Sequence, residues 1–154
     1  MLTATKTSFW RGRYDISVDG RPVTVWDGRM WKSGGDFDLD GQRYEVRANF
    51  IGSTYTMVDA AGATLASARR VGRKHWTVET ARGTLTFRRK SMWSSEQQLL
   101  VDDHPIGSIR RTSAWRNDAA ADLPGLPLPV QVFVIGVVLS MWESQQAAAA
   151  AAST

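Results

Sequence analysis

The chain has 154 residues, no cysteine, and a formal net charge of +4 with a sequence pI near 9.8. This length suits one domain, and the lack of cysteine excludes disulfides, a catalytic thiol and thiolate metal sites. The hydrophobic fraction of 43% and the charged fraction of 22% argue against wholesale disorder. The mild basic excess favours anionic partners such as lipid headgroups or nucleic acid, although many soluble proteins carry the same charge.

Residues 1–13 show no periodicity and are predicted to be a flexible N-terminal arm. From Tyr14 onward, short alternating segments are separated by turn signals such as Asp19-Gly20 and Asp40-Gly41. The predicted strands are 14–18, 22–26, 36–39, 43–48, 54–58, 64–69, 75–80, 84–88, 97–101 and 106–110. Short strands at this spacing are typical of an all-β sandwich or barrel, so the domain is predicted to be mainly β and to span 14–143.

The C-terminal part of the chain contains one long apolar stretch. Residues 117–122 are predicted to be a loop, and the prolines that follow delay a helix until Leu128 or Pro129. From Val130 to Trp142 only Gln131 and Ser140 are polar, and helical geometry places them on opposite sides. Such a helix is either enclosed by protein or set in a membrane. Because the run is shorter than the roughly 20 residues of a membrane span, a buried helix at 129–142 is favoured over a membrane segment. It is favoured over a pair of buried strands because the run has no turn signal except Gly136. An Ala-rich tail is predicted at 144–154.

A weak internal repeat organises the β region. Val18, Val58 and Val101 each open a turn that begins Val-Asp, and they stand 40 and 43 residues apart. The second and third turns are each followed by a strand that ends in paired arginines, at 69–70 and 110–111, and then by a tryptophan, at 76 and 115. A repeat of this length is also typical of propeller blades, but three units are too few for an ordinary propeller. The repeat predicts that both arginine pairs lie on one rim of a curved sheet.

The candidate functional residues are basic. They are Arg69, Arg70, Arg73, Lys74, Arg88, Arg89, Lys90, Arg110 and Arg111. Tryptophans follow each cluster closely, and a basic rim with aromatic neighbours suits phosphorylated headgroups or a membrane surface. It would also suit single-stranded nucleic acid, whose bases stack on aromatic rings. The alternative interpretation is a set of solvated loop charges beside core tryptophans.

Motifs for catalysis or metal binding are weak. Asp36, Asp38 and Asp40 match the start of a calcium loop, but Arg47 stands where the bidentate acid is required, so a strand and turn are favoured. Neither His75 nor His104 has a partner at metal-ligand spacing. No nucleophile motif, acid–base pair or phosphate-binding loop is evident, so we expect no catalytic activity, no metal and no cofactor.

The Val-Asp hairpins, the strands ending in Arg-Arg and the apolar helix preceded by proline together resemble the tubby-like C-terminal superfamily. That superfamily includes the LURP-one-related proteins and the phospholipid scramblases. The resemblance covers residues 14–142 and implies a closed antiparallel β-barrel with a hydrophobic helix through its centre. No lipid-binding residue can be carried over individually, because no binding motif of the family is matched here.

We therefore expect a non-catalytic intracellular binding module for anionic phospholipid headgroups or a membrane surface. We expect it to be a cytoplasmic monomer that is peripheral to the membrane, since residues 1–15 contain no apolar run of signal-peptide length. Two alternatives remain open at this point. One is a tail-anchored membrane protein with a soluble β head, and the other is a protein–protein adaptor.

Overall fold

The computed structural model describes residues 1–8, 12–28, 34–113 and 116–153. Within these ranges the chain forms a closed barrel of antiparallel β-strands and one α-helix. The elements are β1 (Leu2–Ser8), β2 (Arg13–Val18), β3 (Arg21–Gly28), β4 (Gly34–Leu39), β5 (Gln42–Ala48), β6 (Tyr55–Asp59), β7 (Thr64–Arg69), β8 (His75–Thr80), β9 (Gly83–Arg89), β10 (Gln97–Val101), β11 (His104–Arg111), β12 (Ala119–Asp122) and α1 (Leu128–Ala152). The predicted mainly β barrel that encloses a C-terminal helix is confirmed.

Each strand pairs with its neighbours in the chain, and β1 pairs with β12 to close the barrel. Odd-numbered strands therefore all run one way and even-numbered strands the other. At the end where even-numbered strands finish, tight turns join them at 19–20, 40–41, 60–63, 81–82 and 102–103, and we call this the short-turn end. The opposite end carries the connections at 49–54, 70–74 and 90–96, and we call it the long-loop end.

The expectation of a flexible arm at 1–13 is wrong for residues 2–8, which form β1, and residues 9–11 lie outside the described residues. β1 pairs with β2 on one side and β12 on the other, and Leu2 and Ala4 are buried. Residues 117–122 were likewise expected to be a loop, but Ala119–Asp122 is β12. The three alanines of β12 are buried. Alanine has low β propensity. β12 forms because β1 and β11, its partners on both sides, complete its backbone hydrogen bonds.

Helix α1 begins at Leu128, with Pro129 in its first turn, where a missing N–H costs nothing. All positions from Val132 to Leu139 are buried, which explains why the sequence has no polar face. The helix continues to Ala152, beyond the predicted end at Trp142. Among the described residues it is the single helix long and apolar enough to cross a membrane, a property that core helices share, and 67% of its most apolar window is buried.

Gly136 lies in the middle of α1 and is not a turn between two strands. A Cβ on Gly136 would lie 2.5 Å from Cζ3 of Trp26, and a Cβ on Gly35 of β4 would lie 2.9 Å from Cζ2 of the same ring. The indole of Trp26, which is 1% exposed, therefore fills the space that two glycines leave between helix and sheet. This packing fixes the rotation of the helix inside the barrel.

The helix enters at the short-turn end and leaves at the long-loop end. There, Nε1 of Trp142 donates to the carbonyl of Ser95, at 3.1 Å, and the Tyr14 hydroxyl donates to Oε1 of Glu143, at 2.7 Å. The side-chain amides of Asn117 and Gln146 exchange two hydrogen bonds of 3.1 Å. Residues 144–152 are helical but exposed, so this last part of α1 extends beyond the barrel.

Candidate functional site

The three basic clusters lie at one end of the barrel. They stand at the ends of β7, β9 and β11, which are all odd-numbered strands, so all three are at the long-loop end. The expectation that pairs 69–70 and 110–111 share one rim therefore agrees with the strand directions. Of the tryptophans that follow them, Trp76 is buried in the core and Trp93 is 92% exposed. Trp115 lies outside the described residues.

Most of the basic side chains point outward. The exposed ones are Arg69, Arg70, Arg73, Lys74, Lys90 and Arg110. Arg69 is 3.6 Å from Glu79, and Lys90 is 3.8 Å from Glu96. Both ion pairs are long, and the basic partner of each is exposed, so they contribute little stability. Over the part of the chain that the structure describes, no carboxylate lies at ion-pair distance from the other four, so their charge is available to a partner.

Arg89 and Arg111 lie on the same rim but do not point outward. They follow the buried Phe87 and Ile109 by two residues, so strand alternation turns them toward the mouth of the barrel. The Nε of each is enclosed and has no hydrogen-bond partner among the described residues. The guanidinium of Arg111 lies 4.8 Å from the centroid of the Trp142 ring, a cation–π contact. Burial also lowers the pKa of Arg111. Arg88 is half-buried and donates to Gln98 at 3.3 Å.

A cavity of about 230 Å³ lies beside Arg89 at this mouth. Its lining includes Arg73 and Ser94 from two different loops and Met141 from the helix. Guanidinium and hydroxyl groups are donors suited to an anion, so the recess is compatible with a phosphate-bearing group. It is open to solvent through the exposed loops that form it.

Two exposed apolar loop tips lie at the same end. The sequence pointed to Trp93, among the tryptophans that follow the basic clusters, but not to Phe50, Ile51 or Met92. Phe50 and Ile51 are 103% and 78% exposed on the β5–β6 loop, and Met92 and Trp93 are 76% and 92% exposed on the β9–β10 loop. Because loops follow strand order around a meander, the β7–β8 loop with Lys74 lies between them. The available sequence signal was an apolar pair inside a polar turn, as in Asn-Phe-Ile-Gly-Ser.

The short-turn end has the opposite charge. Its turns and strand ends hold the aspartates Asp19, Asp40, Asp59, Asp102, Asp103 and Asp122, against Arg21, Arg82 and the N-terminal ammonium, which lies 2.9 Å from Asp19. Several of these aspartates have positive φ, as the tight hairpin turns require. The barrel is therefore basic at one end and acidic at the other, although the net charge is only +4.

The short-turn end also holds an apolar cavity of about 370 Å³, beside the start of α1. Leu65, Leu85 and Leu126 contribute to its wall, and Arg82 is the one charged side chain among its lining residues. The cavity lies on the opposite side of the molecule from the basic clusters.

The remaining candidate residues are aspartates and histidines. In the described ranges, no group of three or more His, Asp or Glu side chains is arranged to hold a metal ion. Arg43 forms ion pairs of 3.0 Å with both Asp36 and Asp38, while Asp40 has a φ of 51° in the following turn. The strand-and-turn interpretation of this acidic segment is therefore confirmed. His75 and His104 are both exposed.

In comparisons with protein-family models, curated proteins and solved structures, nothing matches this chain. The resemblance to the tubby-like superfamily stays a prediction. The chemistry of the long-loop end follows from its geometry alone: unpaired guanidinium and ammonium groups attract phosphates, and exposed apolar side chains gain free energy when they leave water.

Proposed function

We propose that the protein is a non-catalytic module that binds anionic phospholipid surfaces through the long-loop end of its barrel, as a cytoplasmic peripheral protein. The observation that carries this proposal is the separation of charge along the barrel. Unpaired basic residues such as Arg70, Arg73 and Lys74 occupy one end, and aspartates occupy the turns of the other. This arrangement would orient the molecule on an anionic surface.

The magnitudes favour such binding. A basic residue near an anionic membrane contributes on the order of 1 kcal/mol, so Arg70, Arg73, Lys74 and Arg110 together would supply roughly 4 kcal/mol. Strands of six to eight residues, at about 3.3 Å per residue, span some 20 Å or more between the two ends. That separation exceeds the Debye length of about 8 Å at physiological salt. The aspartates at the far end would therefore not cancel the attraction.

The fold supports the related proposal that the chain is tubby-like. A closed antiparallel barrel with an apolar helix through its centre is the architecture that this resemblance implies. The proposed lipid binding rests on the charge and exposure of this chain's own residues and not on that resemblance.

Sedimentation with lipid vesicles tests the proposal. The wild-type protein is expected to bind vesicles of equimolar phosphatidylserine and phosphatidylcholine, to bind pure phosphatidylcholine weakly, and to dissociate as salt increases. The double variant Arg73→Glu/Lys74→Glu is expected to lose at least about tenfold in affinity, because two attractions of on the order of 1 kcal/mol each become repulsions.

The matched control is Arg21→Glu/Arg82→Glu, which changes the net charge equally at the short-turn end. It is expected to keep most of the binding, because these positions face away from the surface. Equal losses in the two double variants would show that only net charge matters, and the oriented-binding proposal would then fail.

Insertion of α1 into a bilayer is a second candidate, favoured by the length and apolar character of the helix. It predicts equal binding to neutral and anionic vesicles and loss of binding when residues 147–154 are deleted. Tight binding of a single-stranded oligonucleotide without vesicle binding would instead indicate a nucleic-acid module. Binding to neither would leave the adaptor role.

A further inference from the structure

We infer that the apolar loop tips, Phe50-Ile51 and Met92-Trp93, penetrate the interfacial layer of the bilayer when the basic end docks. This inference rests on the proposed function and adds a second, non-electrostatic contribution to it. The contact surface would then consist of the two tips and the basic β7–β8 loop that lies between them.

The exposure of these residues is exceptional within the described chain. The other exposed large apolar residues are Met1, Val101 and Ile106, at 54%, 50% and 44%. Val101 and Ile106 flank the turn at 102–103, at the short-turn end. The two fully or nearly fully exposed aromatic rings thus both lie at the basic end. Exposed apolar patches of this kind mark interaction sites.

Hydrogen bonds hold both tips in place. In the β5–β6 loop, Oδ1 of Asn49 accepts from the backbone N–H groups of Ser53 and Thr54, at 2.8 and 3.1 Å. The carbonyl of Ser53 in turn accepts from the N–H of Val71, at 3.0 Å, which ties this loop to the basic β7–β8 loop. The β5–β6 loop is therefore attached to the basic β7–β8 loop through the backbone.

The second tip is closed in a similar way. In the β9–β10 loop, the N–H of Lys90 donates to the carbonyl of Glu96, at 2.9 Å. The N–H of Ser94 donates to the carbonyl of Ser91, at 3.3 Å. The N–H of Arg89 also donates to the carbonyl of Lys74, at 2.8 Å, so this loop begins beside the basic loop as well. Both tips are thus positioned before any partner binds.

The chemistry of the tips fits a bilayer interface better than the other partners of a basic surface. Aromatic rings favour the interfacial layer, where one end is apolar and the other is wet. Single-stranded nucleic acid would use ring faces for stacking, but Ile51 and Met92 have no rings. No acidic residue lies within either tip, and after Glu143 the exposed part of α1 carries no charge as far as Ser153, so penetration dehydrates no carboxylate there.

The absence of cysteine allows a direct test, because one introduced cysteine can be labelled uniquely. Ile51→Cys and Met92→Cys would each carry an environment-sensitive fluorophore, with Val101→Cys as the exposed control at the opposite end. On equimolar phosphatidylserine and phosphatidylcholine vesicles, labels at 51 and 92 are expected to shift to the blue and to be quenched by shallow nitroxide-labelled lipids. The label at 101 is expected to change little.

A paired substitution gives an independent measurement. Phe50→Ser/Trp93→Ser is expected to weaken vesicle binding by about tenfold or more. Moving either ring from water into the bilayer interface would by itself account for a loss of about that size. The remaining binding should be more sensitive to salt, because it is electrostatic. The control Val101→Ser/Ile106→Ser, at the short-turn end, is expected to bind like the wild type.

The outcomes separate the two proposals. If the protein binds anionic vesicles but the labels at 51 and 92 stay in water and the serine pair binds normally, penetration is wrong and the charge-based function stands. If the wild-type protein binds no anionic vesicle, both proposals fail. Thermal unfolding of each variant checks that the fold is intact, which is expected because all the substituted side chains are exposed.

Discussion

At the residue scale, the contact between helix and barrel depends on the missing side chain at Gly136. In an ordinary helix, replacing glycine with alanine stabilises by about 1 kcal/mol. Here the added methyl group would lie 2.5 Å from the Trp26 ring, which is itself held between Gly136 and Gly35. Overpacking of this kind costs about 1–3 kcal/mol. Gly136→Ala is therefore expected to lower the free energy of unfolding, measured by chemical denaturation.

Ser144→Ala provides the matched control for Gly136→Ala. Ser144 is exposed in the part of α1 that extends beyond the barrel, so alanine gains helix propensity there without meeting another side chain. We expect its stability to be unchanged or slightly higher. A Gly136→Ala protein as stable as the wild type would show that the Trp26 ring can move and that the tight packing is not required.

The hydrogen bond between Tyr14 and Glu143 is expected to make the free energy of unfolding fall at alkaline pH. Burial first, and then the hydrogen bond to the Glu143 carboxylate, raise the pKa of Tyr14 well above its ordinary value. In the unfolded chain a tyrosine ionises near pH 10. Above about that pH the folded protein therefore binds more protons than the unfolded protein, and the free energy of unfolding falls as the pH rises.

The contribution of Tyr14 is thus fully present below about pH 10 and is lost as the pH rises toward its raised native pKa. Tyr14→Phe is expected to be less stable at neutral pH by roughly 1.5–3 kcal/mol, as for hydrogen bonds to charged groups, and to show a shallower alkaline decline. Denaturation at a series of pH values measures both. If the free energy of unfolding declined equally steeply with pH in the variant and the wild type, Tyr14 would not be the cause of the alkaline loss of stability.

At the scale of elements, α1 serves as the hydrophobic core of the barrel. Ile135 is fully buried in the middle of the helix. An unpaired buried charge costs several kcal/mol, which is comparable to the whole stability of a domain. Ile135→Asp is therefore expected to abolish cooperative folding, whereas Ser144→Asp, on the exposed extension, should fold normally. Circular dichroism and thermal unfolding distinguish the two results. A folded, soluble Ile135→Asp protein would mean that the helix can leave the barrel.

Two strands were missed, and they are neighbours in the sheet. β1 offers only Leu2 and Ala4 as buried apolar residues, and the buried face of β12 consists of alanines. β12 has no β-branched or aromatic residue, and β1 has threonines but no large apolar residue after Leu2, so the apolar alternation that marks strands in a sequence is weak in both. Their pairing joins segments more than a hundred residues apart in the chain, as in Thr3 with Ala120. Local sequence contains no signal for such a contact.

At the scale of the whole molecule, the repeat and the topology together explain why charge is separated. The arginine pairs at the ends of β7 and β11 are four strands apart. In an antiparallel meander an even number of strands returns the chain to the same end, so a repeat of this length places its equivalent residues on one rim. The Val-Asp turns, which follow even-numbered strands, are placed on the other rim by the same rule.

The sequence by itself determined ten of the twelve strands, the type and start of the helix, and the end of the barrel at which the arginine pairs lie, because hydrophobic periodicity and turn residues are local signals. Only the tertiary structure decided that β1 and β12 close the barrel. It alone enclosed the Nε atoms of Arg89 and Arg111 without a hydrogen-bond partner among the described residues and placed Arg111 on the Trp142 ring, because these contacts join strand ends to a helix end distant in the chain. It also brought the exposed tips at Phe50 and Trp93 to either side of the basic loop, since loops distant in the chain meet only when the barrel closes.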